Sequence, residues 1–201
     1  MTANDNIPHQ HSGASLDVVC SKTFSSIEDA AKAYHTLRSK LLNVNNWEEY
    51  AGEALANFSL YGQDAQPVKR EVQEKDYFRI NIPGPDNPSG DGDDWVRVQQ
   101  VNEERNEGEA LLSIIVRPVA CPLNNDRDVA HFFTSEASST FIIRQKGNEV
   151  FAEVHGRNEK PNIKGVAVTD KIRNSLVATG SVFGFSKIQW KNLTDGLINS
   201  L

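Results

Sequence analysis

The stretch from Asp170 to the C-terminus constrains this chain most, because it reads as one long amphipathic helix closing a sequence otherwise patterned for strands. Leu176, Phe183, Trp190 and Leu197 recur at seven-residue spacing, and Ile172, Thr179 and Leu193 fill the same stripe. One face is therefore apolar. Gly180 and Gly184 stand four apart on an adjoining face, where a missing side chain allows close approach to a sheet or leaves room for a ligand. A last helix gripped by a curved sheet would make a container.

The upstream pattern supplies the sheet. Leu16, Val18, Cys20 and Phe24 alternate with Asp17, Ser21 and Thr23, which marks a half-buried strand. Ser25 or Ser26 then caps a helix with Glu28 and Asp29 in its first turn, where the helix dipole favours acids. Ala30, Ala33, Tyr34, Leu37 and Leu41 give that helix its apolar spacing. Asn43–Asn46 interrupts it, and a short second helix runs through Trp47 and Tyr50. Period two follows in six segments: Ala54 to Leu60, Phe78 to Ile82, Val96 and Val98, Leu112 to Val116, Phe141 and Ile143, and Val150 to Val154. Short turns at Asn106–Gly108 and Gly147–Asn148 predict antiparallel neighbours. Connections at 83–94 and 118–135 are long enough to serve as lids or as ornamented surface turns.

At 201 residues the chain fits one domain. The expected division is a disordered tail over residues 1–14 and a single domain over 15–201. A net charge of −6 argues against a nucleic-acid partner, which needs a basic stripe, and against anionic membranes. No apolar run approaches the ~20 residues that cross a bilayer. The first residues lack the basic end and apolar centre of an export signal. The expectation is thus a cytoplasmic protein with Cys20 and Cys121 as reduced thiols. His9 and His11 could take up a metal adventitiously, but no resident metal or cofactor is expected.

One strand, one or two short helices, six antiparallel strands and a long C-terminal helix carrying LVATGSVFGFSKIQWKNL resemble the helix-grip superfamily. That group includes START lipid-transfer domains, the birch-pollen allergens and the polyketide cyclases. The resemblance covers about residues 14 to 201 and rests on element order and the last helix, with no catalytic motif. It implies an α+β fold in which a curved antiparallel sheet of about seven strands wraps the C-terminal helix around a cavity. Members hold lipids, sterols or polyketides, a few do chemistry there, and others are co-chaperone or regulatory modules.

Candidate site residues follow from side-chain chemistry. Phe151, Glu153, His155 and Arg157 share one face of the strand around VFAEVHGRNE, and Val150, Ala152, Val154 and Gly156 the other. If the polar set faces a cavity, His155 could act as a base held by Glu153, with Arg157 receiving an anionic group. If it faces solvent, the small set packs beneath the helix glycines; this second placement is preferred. His131 and Phe133 could contact a ligand at a loop-to-strand junction. Arg117, before Pro118, could mark a pocket entrance for a carboxylate or phosphate. Phe58, Phe78 and Phe183 should border any cavity. The reading is therefore binding of a small hydrophobic or amphipathic molecule without catalysis, with an oligomer possible. The alternatives are a cyclase- or dehydratase-like enzyme using His131 or His155, and a protein-interaction module with a filled core.

Overall fold

The computed structural model describes residues 6–52, 56–82, 87–162 and 171–201; side chains of 88, 171–183 and 185 lie outside the description. Among the described residues there are seven strands and three α-helices. In chain order these are β1 (Ala14–Thr23), α1 (Ile27–Leu42), α2 (Trp47–Ala51), β2 (Asn57–Tyr61), β3 (Tyr77–Asn81), β4 (Asp94–Asn106), β5 (Glu109–Pro118), β6 (Ser138–Lys146), β7 (Glu149–Glu159) and α3 (Lys171–Asn199). The strands form one antiparallel sheet in the order β1-β7-β6-β5-β4-β3-β2. β1 crosses to the far edge beside the last strand, and the connection from β1 to β2 carries α1 and α2. This is the helix-grip architecture implied by the sequence resemblance.

Local chemistry explains the elements. Ser26 caps α1 by accepting the Asp29 amide at 3.1 Å, which satisfies a donor that the first helical turn leaves unpaired. The hairpin between β6 and β7 turns through Gly147 and Asn148, with Lys146 facing Glu149 across the ladder. Gly147 adopts φ +59°, as a two-residue hairpin turn requires.

Alternation sorts each strand into a helix side and an outer face. The helix side carries Phe58, Leu60, Phe78, Ile80, Val96, Val98, Leu112, Ile114, Phe141, Ile143, Val150, Ala152 and Val154, all in the main core with α1, α2 and the end of α3. Its densest part surrounds Trp47, whose ring lies 5.2 Å from Phe58, 5.6 Å from Phe78 and 4.8 Å from Phe141. Trp190 of α3 closes the group at 5.1 Å from Phe141 and 5.9 Å from Phe58. The Trp47 indole donates to the Leu41 carbonyl at 3.0 Å, so its polar handle is also satisfied.

α3 runs in the same sense as β1. Asp195 lies beside Cys20, and the Leu201 carbonyl accepts from Lys22 Nζ at 3.0 Å. The helix therefore approaches the Ala14 end of β1 with its earlier residues. Leu193 and Leu197 of the expected stripe are buried. Ile172, Leu176, Thr179 and Gly180 fall outside the described side chains, and Ala54 outside the described residues. Among the described helix glycines, the one that permits close approach is Gly196 rather than Gly184. A Cβ on Gly196 would run into the Tyr50 carbonyl of α2, whereas one on Gly184 would meet nothing within 4 Å.

The expected tail needs correction from residue 6 onward. Asn158 of β7 accepts the amides of His11 and Ser12 at 2.7 and 3.1 Å and donates to the His9 carbonyl at 3.0 Å. Asn6 accepts from Asn102 of β4 at 2.9 Å. Asn102 belongs to the outer face, so residues 6–13 run across that face from β4 to the end of β7.

Candidate functional site

β7 presents two contrasting faces. On the outer one, Glu153, His155 and Arg157 join Asp17 of β1 and Arg144 of β6 in a continuous chain of opposite charges. Arg144 grips Glu153 through Nε at 2.9 Å and a second guanidinium nitrogen at 2.7 Å. His155 meets Glu153 at 3.0 Å through Nε2 and Asp17 at 2.6 Å through Nδ1. Arg157 then reaches Asp17 at 2.7 Å and the carbonyls of Leu16 and Gly156 at 3.2 and 2.7 Å. Burial alone opposes the imidazolium of His155, but the two carboxylates outweigh it and hold its pKa above the ordinary histidine value. Burial likewise opposes ionisation of Glu153 and Asp17. The bonds to His155, Arg144 and Arg157 win, and both carboxyls titrate below their usual range. Every member of this chain is already partnered.

The helix side of the same strand ends differently. Leu16 faces Gly156, yet Ala14 faces Glu159, so β7 spends one more residue than β1 over this interval. The extra residue is a bulge, and Asn158 sits there with φ +56°, a left-handed conformation that asparagine tolerates. Its side chain is turned to the His9–Ser12 backbone. The bulge switches the parity of the next residue. Glu159, which strict alternation would set beside Glu153 and His155, instead covers Gly156 on the helix side. Its carboxyl occupies the volume that a Gly156 side chain would fill, and the Leu16 Cβ would lie 3.4 Å from that side chain.

Glu159 is 3% exposed, and among the described residues no donor reaches its carboxyl. Burial pushes its pKa up to about 7, with the Arg157 charge opposing only in part. Around it the helix side is built from Leu16 and Val18 of β1, Val116 of β5, Ser139 of β6 and Val154 of β7. Leu16, Val18 and Ser139 are only half-buried, in contrast with the aromatic packing around Trp47.

Most of the residues marked from sequence lie elsewhere. His155 and Arg157 are on the outer face, so neither can line a space beneath α3, and His155 has no free nitrogen with which to act as a base. Arg117 also alternates to the outer face, where it ties down the loop before β6 through the carbonyls of Glu136 and Ala137 at 2.8 and 3.3 Å. Phe58 and Phe78 are core residues locked around Trp47. His131 is buried, stacks on Phe132 with ring centroids 4.2 Å apart, and accepts the Phe133 amide on Nδ1 at 2.9 Å. Burial keeps its pKa low despite the nearby Asp94 charge, so it is a neutral structural histidine. Phe133 is buried and bridges to Pro161 just beyond β7. The Phe183 side chain lies outside the described residues. Glu159 was not a sequence candidate; the available signal was Asn158, whose tolerance of a left-handed backbone permits the parity switch.

Two other features carry no site. A cleft of about 540 Å³ beside the end of α1 is lined by Asn43, Asn45, Lys69 and Arg70. Arg70 is committed to Asp76 at 2.6 and 2.9 Å, and Asn45 braces β2 through the Leu60 amide and the Val68 carbonyl. Among the described residues no group of three His, Cys, Asp or Glu side chains is placed to hold a metal ion. No helix among them is long and apolar enough to cross a membrane.

No protein-family model matches the chain, and no curated protein matches it. Among solved structures it is similar to a hypothetical protein of Helicobacter pylori, with 13% identity, a TM-score of 0.46 and coverage of 92% of this chain and 85% of that one. A START superfamily protein of Mycobacterium smegmatis shows 10% identity and a TM-score of 0.37, covering 92% and 99% of the two chains. Truncated norcoclaurine synthase of Thalictrum flavum shows 11% identity and a TM-score of 0.35, covering 92% and 96%.

Proposed function

We propose that this protein binds a small amphipathic molecule on the helix side of its sheet, beneath the earlier turns of α3, and leaves it chemically unchanged. The supporting observation is a difference in lining between the two ends of the sheet's helix side. Around Trp47 it carries interlocking rings, whereas toward the Ala14 end the described lining is Leu16, Val18, Val116 and Gly156, with the Glu159 carboxyl over the glycine. A wall of small and aliphatic groups with few polar ones is the usual lining of a small-molecule site.

The absence of an acid–base pair on this side, among the described residues, favours binding over turnover. Both imidazole nitrogens of His155 are engaged on the opposite face, and His131 is held neutral within its loop. A docking role has less support. Among the described residues, the large exposed apolar side chains Val19, Ile27, Leu123 and Ile188 are spread over β1, α1, the loop after β5 and α3, rather than gathered on one element.

The test is titration with 1-N-phenylnaphthylamine, a neutral apolar dye that brightens when desolvated. Wild type should give a saturable, single-site signal. Val18→Trp, which fills the proposed space, should abolish it while keeping a cooperative melt. Absence of saturable binding by wild type, or equal binding by the filled variant, would sink the reading.

A further inference from the structure

The Glu159 carboxyl is 3% exposed on the helix side, and among the described residues no hydrogen bond or ion pair reaches it. An unpaired carboxylate in an apolar setting is costly, and a protein that tolerates one either neutralises it or presents it to something else. Glu153, on the same strand, shows how the fold treats a carboxylate that it uses structurally, with a guanidinium on one side and an imidazolium on the other. Among the described residues Glu159 receives neither. Arg157, whose charge it feels, is spent on Asp17 and on the carbonyls of Leu16 and Gly156.

The geometry that aims Glu159 is also specifically made. An asparagine in a left-handed conformation, three hydrogen bonds from its side chain to residues 9–12 and the glycine at 156 accompany the placement of this carboxyl on the helix side. Without the bulge, the side chain would stand on the outer face beside Arg157.

We infer that Glu159 is the recognition group of the proposed site and that its ligand is a basic amphiphile, an apolar body carrying an amine. This rests on the binding reading given above and adds the chemical class to it. An ammonium supplies both the missing charge and several donors for the two carboxylate oxygens. A hydroxyl supplies one donor and no charge, and an acidic head is repelled. The aliphatic wall of Leu16, Val18 and Val116 takes the apolar body. Burial has pushed the carboxyl toward neutrality near pH 7, so a cation arriving from the ligand is what would restore its charge.

Matched ten-carbon probes test the assignment. n-Decylamine, n-decanol and decanoate, each kept below its aggregation concentration, compete with the naphthylamine dye and are followed by native mass spectrometry. The wild type should bind decylamine roughly ten-fold or more tightly than decanol, as a charge-assisted contact predicts, and decanoate most weakly. Glu159→Gln should erase the preference for the amine, and Glu159→Asp, which keeps the charge, should retain part of it. Equal binding of the three probes, or an amine preference that survives Glu159→Gln, overturns the role of Glu159 and leaves the pocket standing. If none of the probes binds the wild type and the dye does not either, the pocket reading fails and this inference with it.

Discussion

The two faces of β7 treat a buried carboxylate in opposite ways. Glu153 and Glu159 lie six residues apart and are 5% and 3% exposed, so burial penalises both. On the outer face Arg144 and His155 more than repay that penalty and Glu153 stays ionised well below neutrality. On the helix side nothing described repays it, and Glu159 is lifted to about 7. The difference separates two uses of charge in one strand. The outer chain, from Arg144 through Glu153, His155 and Asp17 to Arg157, fastens β6, β7 and β1 together. Among the described residues the inner carboxyl fastens nothing, which is why it is the better candidate for contact with a ligand.

Removing one carboxylate and then the other should expose the contrast. Glu153→Gln leaves Arg144 and His155 facing each other with no anion between them, and breaking a buried pair in this way should cost about 3 kcal/mol or more. Urea denaturation at pH 6, where His155 is charged, measures it; a loss below about 1 kcal/mol would mean that the chain of charges adds little.

Glu159→Gln should do the reverse at neutral and higher pH. The unfolded carboxyl ionises near 4.5 and the folded one near 7, so between those values the folded state holds the extra proton. Wild-type stability should therefore fall as pH rises from about 4.5 to 7 and level off above, by at most about 3 kcal/mol. The glutamine variant should lack that slope and melt higher than wild type at pH 8. Part of any remaining decline above pH 6.5 belongs to His155, whose raised pKa gives stability that is present below that value and is lost as it deprotonates. Parallel melting curves for wild type and variant from pH 5 to 8 would contradict the burial of Glu159.

A smaller effect should come from Asn158→Ala. It removes acceptors for the His11 and Ser12 amides and the donor to His9, and it places a less tolerant residue at φ +56°. The expected cost is about 1–2 kcal/mol. Hydrogen exchange should show faster loss at the amides of residues 11 and 12, with β5 and β6 unchanged. Unaltered protection there would detach the bulge from the N-terminal segment.

What the sequence revealed follows from how each feature is written into it. Alternation over β1 and over β5 to β7 is regular, so the sheet, its hairpins and the opposition of Val150, Ala152 and Val154 to Glu153, His155 and Arg157 were legible. The seven-residue spacing of Trp190 and Leu197 announced the last helix. A bulge, however, inserts one residue without any change in hydrophobic pattern, so nothing in the sequence singled out Glu159, which strict alternation would set beside His155 although it lies through the sheet from it. Residues 6–13 carry no periodicity, because they are held by side-chain bonds from Asn158 and Asn102 rather than by a buried stripe. The choice between Gly184 and Gly196 depended on where α2 lies against α3, which spacing within one helix does not encode.

The mildest change tests the contrast most directly. In Gly156→Ala the new methyl would run into Glu159 Oε1, and the clash falls on the far end of a flexible side chain, so the strand need not move. The carboxyl must shift away from residue 156, and any shift toward water lowers the cost of its charge. Stability at pH 5 should drop by about 1 kcal/mol, the usual range for mild overpacking. At pH 8 the drop should shrink or vanish, because relief of the buried charge offsets the crowding. The Glu159 pKa, followed by carboxyl-carbon NMR, should move from about 7 toward the ordinary glutamate value. An unchanged pKa would show that the carboxyl is not seated over Gly156, whereas the outer-face Glu153 should titrate identically in both proteins.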